Sequence, residues 1–234
     1  MAQRPVYIPH TNGDFLVKTK MVEFEWFAGF SVSQKQKSIR SLHQAAQERH
    51  RLGKVLEISS KSEMELGVKL SAFNLMVKTN KNALVSVECV FQSSKVFEGE
   101  KQFLDLLDVS SREAKKDSRL RESGRLIAFR PYGKKEKEWG LEPLTAYYDW
   151  LYINALNQHE EVHDELLAYD AFTDIEFNPD KSINCQAYSV ALFCALSKRG
   201  ILRDVLASQA DFLTIYHDFK VDNAKSDKHQ ASLI

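Results

Sequence analysis

Residues 86–97 read SVECVFQSSKVF, and the rest of the chain is best understood outward from them. Glu88, Gln92 and Lys95 fall at i, i+4 and i+7, one stripe of a helix covering about residues 85–97. Val85, Val87, Val90, Phe91, Val96 and Phe97 occupy most remaining positions. Either the stripe is an exposed polar edge holding an ion pair, or it lines a pocket. Because so little of the segment suits solvent, buried charge here needs a reason.

The chain has 234 residues, 44% hydrophobic and 27% charged, enough to bury a real core. Lys plus Arg and Asp plus Glu both number 32, so net charge points to no partner. Their distribution says more. Arg112 to Glu138 holds ten Lys/Arg against five Asp/Glu, whereas Leu141 to Asp180 holds ten Asp/Glu and no base. The first region can attract phosphates and the second repels them. Three cysteines, Cys89, Cys185 and Cys194, without CxxC or Cys/His spacing, suit buried thiols in a reducing compartment. No run of 18 apolar residues exists, and MAQRPVYIPHTNGD has no apolar core of a signal. The expectation is a cytoplasmic protein with no membrane partner.

On either side of the opening stretch, residues 5–30 read as strands around the turn HTNGD. Residues 31–53 read as a helix with Ser31 at its head and Gly53 as its stop. KVLEISS (54–60) reads as a strand, SAFNLMVK (71–78) is ambiguous, and 102–121 is a helix or a pair of helices. GRLIAFR (124–130) is a further strand. LTAYYDWLYINAL (144–156) is apolar on several faces and should be a central helix; SINCQAYSVALFCALSKRG (182–200) is a second. The expected fold is α+β: a single domain, predominantly helical with a small antiparallel sheet. Residues 1–202 form its body, 203–220 a helix packed on it, and 221–234 a frayed tail.

Two motifs invite chemistry. HEEVH, residues 159–163, matches the HExxH of zinc hydrolases, but a polar helix start fits it as well, and no third ligand is evident. On the helix 33–53, Lys37, Arg40, Arg51 and Lys54 share a sector of about 100° if the helix runs through Lys54. Such a face is either solvated or able to track nucleic-acid phosphates.

SVECVFQSSKVF resembles the E-h-x-Y-Q-x-x-K-F signature of the NADAR N-glycosidases, with Phe91 at the Tyr position. LSAFNL (70–75) is similar to the family's L-S-N-F segment, with Ala72 in place of Asn. SREAKK (111–116) resembles the A-K-x-x-G-R neighbourhood. In YDAFTDIEFNPDKSINCQA (169–187), Asp170 and Asn184 match, while Thr173 replaces a Trp. FEWFAGFSVSQKQKSIRSLH, LEISSKS and FTDIEFNPDKSINCQA resemble the branch encoded beside DarT-type toxins, so the likeness spans about residues 4–202.

The resemblance implies cleavage of the bond between ADP-ribose and the exocyclic amine of guanine in DNA, reversing a DarT-type toxin. Glu88 would protonate, provided burial favours its acid form, and neutral Lys95 would attack an imine. Gln92 would bind hydroxyls. Asn184, Asp170, Asp174 and Arg112 are further substrate-binding candidates, with Asn184 as an N-cap and the aspartates as turn residues in the alternative. Arg125 and Trp139 are weaker candidates for diphosphate and base, solvated or packed in the alternative. No metal and no cofactor is needed, because a proton activates the leaving amine. The partners implied are ADP-ribosylated DNA and a cognate DarT-type toxin. Alternatives are an N-glycosidase for small ribosylated amines and a non-catalytic antitoxin that grips ADP-ribose or toxin.

Overall fold

A computed structural model describes residues 1–79 and 82–221. Strands β1 (Ala2–Pro9) and β2 (Val17–Phe24) form an antiparallel hairpin, closed where His10 N–H donates to Leu16 O at 2.8 Å. Helix α1 (Val32–His50) starts at Ser31, whose side chain accepts from Gln34 N–H. It stops at Arg51, which takes a left-handed φ of 54°, two residues before the expected stop at Gly53. Strand β3 (Val55–Glu57), helix α2 (Glu65–Lys69) and the antiparallel pair β4 (Met76–Lys78) and β5 (Leu84–Ser86) follow.

Helix α3 (Val87–Ser94) is shorter than the periodicity suggested. Ser93 and Ser94 both turn their hydroxyls back onto Val90 O, at 3.1 and 2.6 Å, which competes with helical bonding. The chain then extends into β6 (Lys95–Phe97), paired with a later strand. Lys95 is therefore the first residue beyond the helix and not a third rung of its stripe.

Residues 102–121 split into a 3₁₀ turn at Leu104–Leu107, α4 (Ser111–Lys116) and α5 (Arg119–Glu122). Strand β7 (Leu126–Phe129) pairs antiparallel with β6. Helix α6 (Ala146–Asn157), short α7 (His163–Leu167) and strand β8 (Ala171–Thr173) lead to α8 (Gln186–Lys198), four residues later than 182. The stretch 203–220 breaks into α9 (Leu202–Val205) and α10 (Gln209–Asp218), the latter capped by Ser208. The expected frayed tail, apart from Val221, lies outside the described residues.

The chain is thus α+β in one domain. Its largest sheet has the order β2-β1-β8-β3 and is mixed: β1 is antiparallel to β2 and β8, while β3 runs parallel to β8. Alternation divides its faces. Val6, Val22, Phe24 and Ala171 meet Ile39, Leu42 and Ala46 of α1. Tyr7, Val17, Leu56 and Phe172 face the larger core built on α6 and α8. Trp139 belongs to that core, 5.2 Å from the Trp150 ring and 5.8 Å from the Tyr147 ring, so it packs and offers no base-stacking platform.

Candidate active site

A cavity of about 460 Å³ opens where α3, α4, α5 and the turn before α8 meet. Glu88, Phe91, Gln92 and Lys95 all line it, four side chains from the opening stretch. Three backbone anchors fix α3 there. Ser86 caps it, accepting from Cys89 N–H at 3.1 Å. Glu88 N–H donates to Ala72 O at 2.9 Å. Ala72 N–H in turn donates to Gln186 Oε1 at 2.7 Å, tying the helix start to α8.

Gln92 Nε2 donates to Glu88 Oε1 at 2.8 Å, and Gln92 Oε1 is buried with no protein partner. Asn184 Oδ1, on the same cavity, is likewise buried and unpaired. Leaving such an acceptor unmatched costs about 1–3 kcal/mol, so both oxygens are suited to a donor brought by a ligand. Asn184 lies two residues before α8 and does not cap it.

Lys95 Nζ stands 5.3 Å from the Phe91 ring centroid. Burial pushes its pKa down to about 8; Glu88 opposes the shift and the Lys115 charge adds to it. Phe91 is held by stacking on Phe129 at 5.4 Å and by the Tyr148 edge at 5.1 Å, and both neighbours also line the cavity. The site therefore offers a carboxyl group, a lysine that sheds its proton near neutrality, two unsatisfied oxygens and an aromatic wall.

Other candidates are placed elsewhere. Asp170 Oδ2 accepts from Gly53 and Lys54 N–H at 2.8 and 2.9 Å, so it holds the α1–β3 turn away from the cavity. A Cβ on Gly53 would lie 2.6 Å from that oxygen, which accounts for the glycine. Asp174 is buried behind the wall, accepting from Glu176 and Phe177 N–H and from Gln186 Nε2. Burial, reinforced by the Glu57 carboxyl, pushes its pKa up. It reaches the site indirectly, through Gln186 and Ala72. Arg112 is exposed and does not line the cavity; Arg121, nine residues on, does. Arg125 pairs with Glu98 at 3.0 Å.

The four basic residues Lys37, Arg40, Arg51 and Lys54 do not form one helical face, because α1 ends before two of them. Arg40 is paired with Glu63 at 3.3 Å, and α1 covers the sheet face opposite α8. Cationic side chains come to the cavity from elsewhere: Lys115, Lys116, Arg121 and Lys181. The basic stretch 112–138 carried that signal for three of them; nothing in the sequence singled out Lys181.

HEEVH does not form one helical turn. Glu160–Val162 is a 3₁₀ turn preceding α7. His159 Nε2 sits 2.9 Å from Met76 O and His163 Nε2 3.0 Å from Leu156 O, so the two rings serve different backbone carbonyls. Among the described residues no cluster of three His, Cys, Asp or Glu could hold a metal ion, and no helix is long and apolar enough to cross a membrane.

A family model described as DarT1-associated NADAR antitoxin matches residues 2–226. No curated protein sequence matches the chain. With nearly its whole length covered, the chain belongs to the DarT1-associated NADAR antitoxin family.

Proposed function

We propose that this antitoxin is an N-glycosidase that removes ADP-ribose from guanine bases of DNA and so reverses the damage made by its DarT-type toxin. The observation that carries the reading is Lys95, an amine of lowered pKa beside the Glu88–Gln92 pair in one cavity. An N-glycoside on an exocyclic amine opens when nitrogen electrons form a C=N bond as the anomeric C–O bond breaks. Glu88 gives its proton to the departing ring oxygen. Neutral Lys95 then adds to the anomeric carbon. A proton moves from Nζ to the guanine nitrogen, the bond to guanine breaks, and a Schiff base remains on Lys95. Water adds to that carbon and releases free ADP-ribose with the amine restored.

Gln92 Oε1 and Asn184 Oδ1 are suited to accept from ribose hydroxyls, which would fix the sugar between acid and nucleophile. Lys115 is suited to the diphosphate. The test is release of ADP-ribose from guanine-modified DNA by wild type, Glu88→Gln and Lys95→Ala. Release by wild type alone supports the reading. Protection of cells by either variant, with no turnover, points instead to an antitoxin that works by binding. Faster turnover of small ribosylated amines than of DNA would move the substrate.

A further inference from the structure

The cavity carries more positive charge than ADP-ribose can use. Lys95, Lys115, Lys116, Arg121 and Lys181 line it against two carboxylates, Glu88 and Asp117. Asp117 is already bound, by Arg119 at 2.8 Å. Lys95 is suited to stay neutral for part of the time, and a diphosphate brings two negative charges. Lys115 acts on Lys95 electrostatically. Lys116, Arg121 and Lys181 are all exposed, and none makes an ion pair among the described residues.

These three cations are mounted on fixed backbone. Helix α4 is held by the reciprocal Ser110–Glu113 cap and by Ser111 Oγ donating to Phe73 O at 2.8 Å. Leu120, buried, anchors α5 beneath Arg121. Lys181 rides a turn in which Lys181 and Ser182 N–H both donate to Asn178 O, at 3.0 and 2.9 Å. The charges thus reach the cavity from two separate segments of the chain. That arrangement suits a ligand that continues past the sugar with repeated negative charge.

We propose that Lys116, Arg121 and Lys181 contact the phosphodiesters flanking the modified nucleotide, so that the enzyme selects an adduct within a strand over the same adduct on a free nucleoside. This rests on the glycosidase reading above. Each phosphate neutralised on a single strand contributes about 0.7 to the slope of log affinity against log salt, so three contacts contribute about 2. Between about 50 and 200 mM salt, that slope lowers kcat/KM on the strand by about twentyfold beyond any loss on the nucleoside.

The experiment compares kcat/KM for a single-stranded oligonucleotide bearing one ADP-ribosyl guanine with that for ADP-ribosylated deoxyguanosine, across this salt range. The excess slope is expected in wild type and absent in K116A/R121A/K181A. Equal loss on both substrates would overturn the proposal and give these cations to the diphosphate. No loss on either would overturn it as well. Fluorescence anisotropy of an unmodified labelled oligonucleotide separates the two claims. If wild type cleaves neither substrate, the glycosidase reading fails; weaker, less salt-sensitive binding by the triple variant then still supports the phosphate contacts, and unchanged binding overturns them.

Discussion

Varying pH across the Lys95 transition tests the chemistry quantitatively. An ordinary lysine at pH 7.5 is neutral in about one molecule per thousand, whereas an amine of pKa about 8 is neutral in about a quarter. Lowering the pKa from 10.5 to about 8 thus raises the reactive fraction by more than about a hundredfold. The sign is fixed: protonation removes the lone pair, so Lys95 loses reactivity as pH drops. Turnover needs a proton donor as well as a free amine, and the two depend on pH in opposite senses, so the amine is read on its own. From pH 6 to pH 9, the rate at which trinitrobenzenesulfonate labels Lys95 should rise by about ninetyfold along a limb bending near pH 8. Replacing Lys115 with Met removes a charge that helps hold the amine neutral, so the limb should move to higher pH whatever happens to the plateau. The assay is peptide mass spectrometry of Lys95 labelling over time at constant ionic strength. Labelling flat from pH 6 to 9, or a Lys115→Met limb moved to lower pH, would refute a Lys95 amine poised to attack.

Glu88→Gln should keep the fold, since an amide oxygen can still accept from Gln92, while removing the proton donor; a rate lower by about 10²–10⁴-fold is expected, with an unchanged circular dichroism spectrum. Gly67→Ala should destabilise by several kcal/mol or abolish folding, because the added Cβ would lie 2.0 Å from Glu57 O, and chemical denaturation measures it. Asp149 is buried, accepting from Ser189 Oγ and Tyr216 Oη, and burial pushes its pKa up to about 6. A carboxyl raised in the folded state stabilises when protonated, so its penalty develops as pH rises from about 4 through 6, by about 3 kcal/mol at most. Asp149→Asn should therefore gain melting temperature over wild type at pH 8 and lose that advantage near pH 4.

The sequence made the central elements legible where apolar residues ran on several faces, as in α6 and α8, and where a cap stood at the head, as Ser31 does for α1. It misplaced ends governed by side-chain to backbone bonds. Ser93 and Ser94 looked neutral in the pattern, yet their bonds to Val90 O help close α3 and set Lys95 in an extended strand. Glu88, Gln92 and Lys95 nonetheless share a cavity, lined by α3 and by the first residue of β6. Asp170 was marked by the family resemblance and Asp174 by residue type; neither lines the cavity, because Asp170 is held by Gly53, 117 residues away, and Asp174 by Gln186, 12 residues away, contacts that no local pattern encodes. The cations at the mouth were partly visible as the basic stretch 112–138, but Lys181 joins them only through tertiary packing.

The central claim is a covalent link between Lys95 and the anomeric carbon. Borohydride added during turnover of ADP-ribosylated DNA, followed by peptide mass spectrometry, reads it directly. A reduced ADP-ribose adduct is expected on Lys95, absent when Lys95→Arg is treated in the same way. Rapid turnover with Lys95 unmodified, or undiminished turnover by Lys95→Arg, would contradict it.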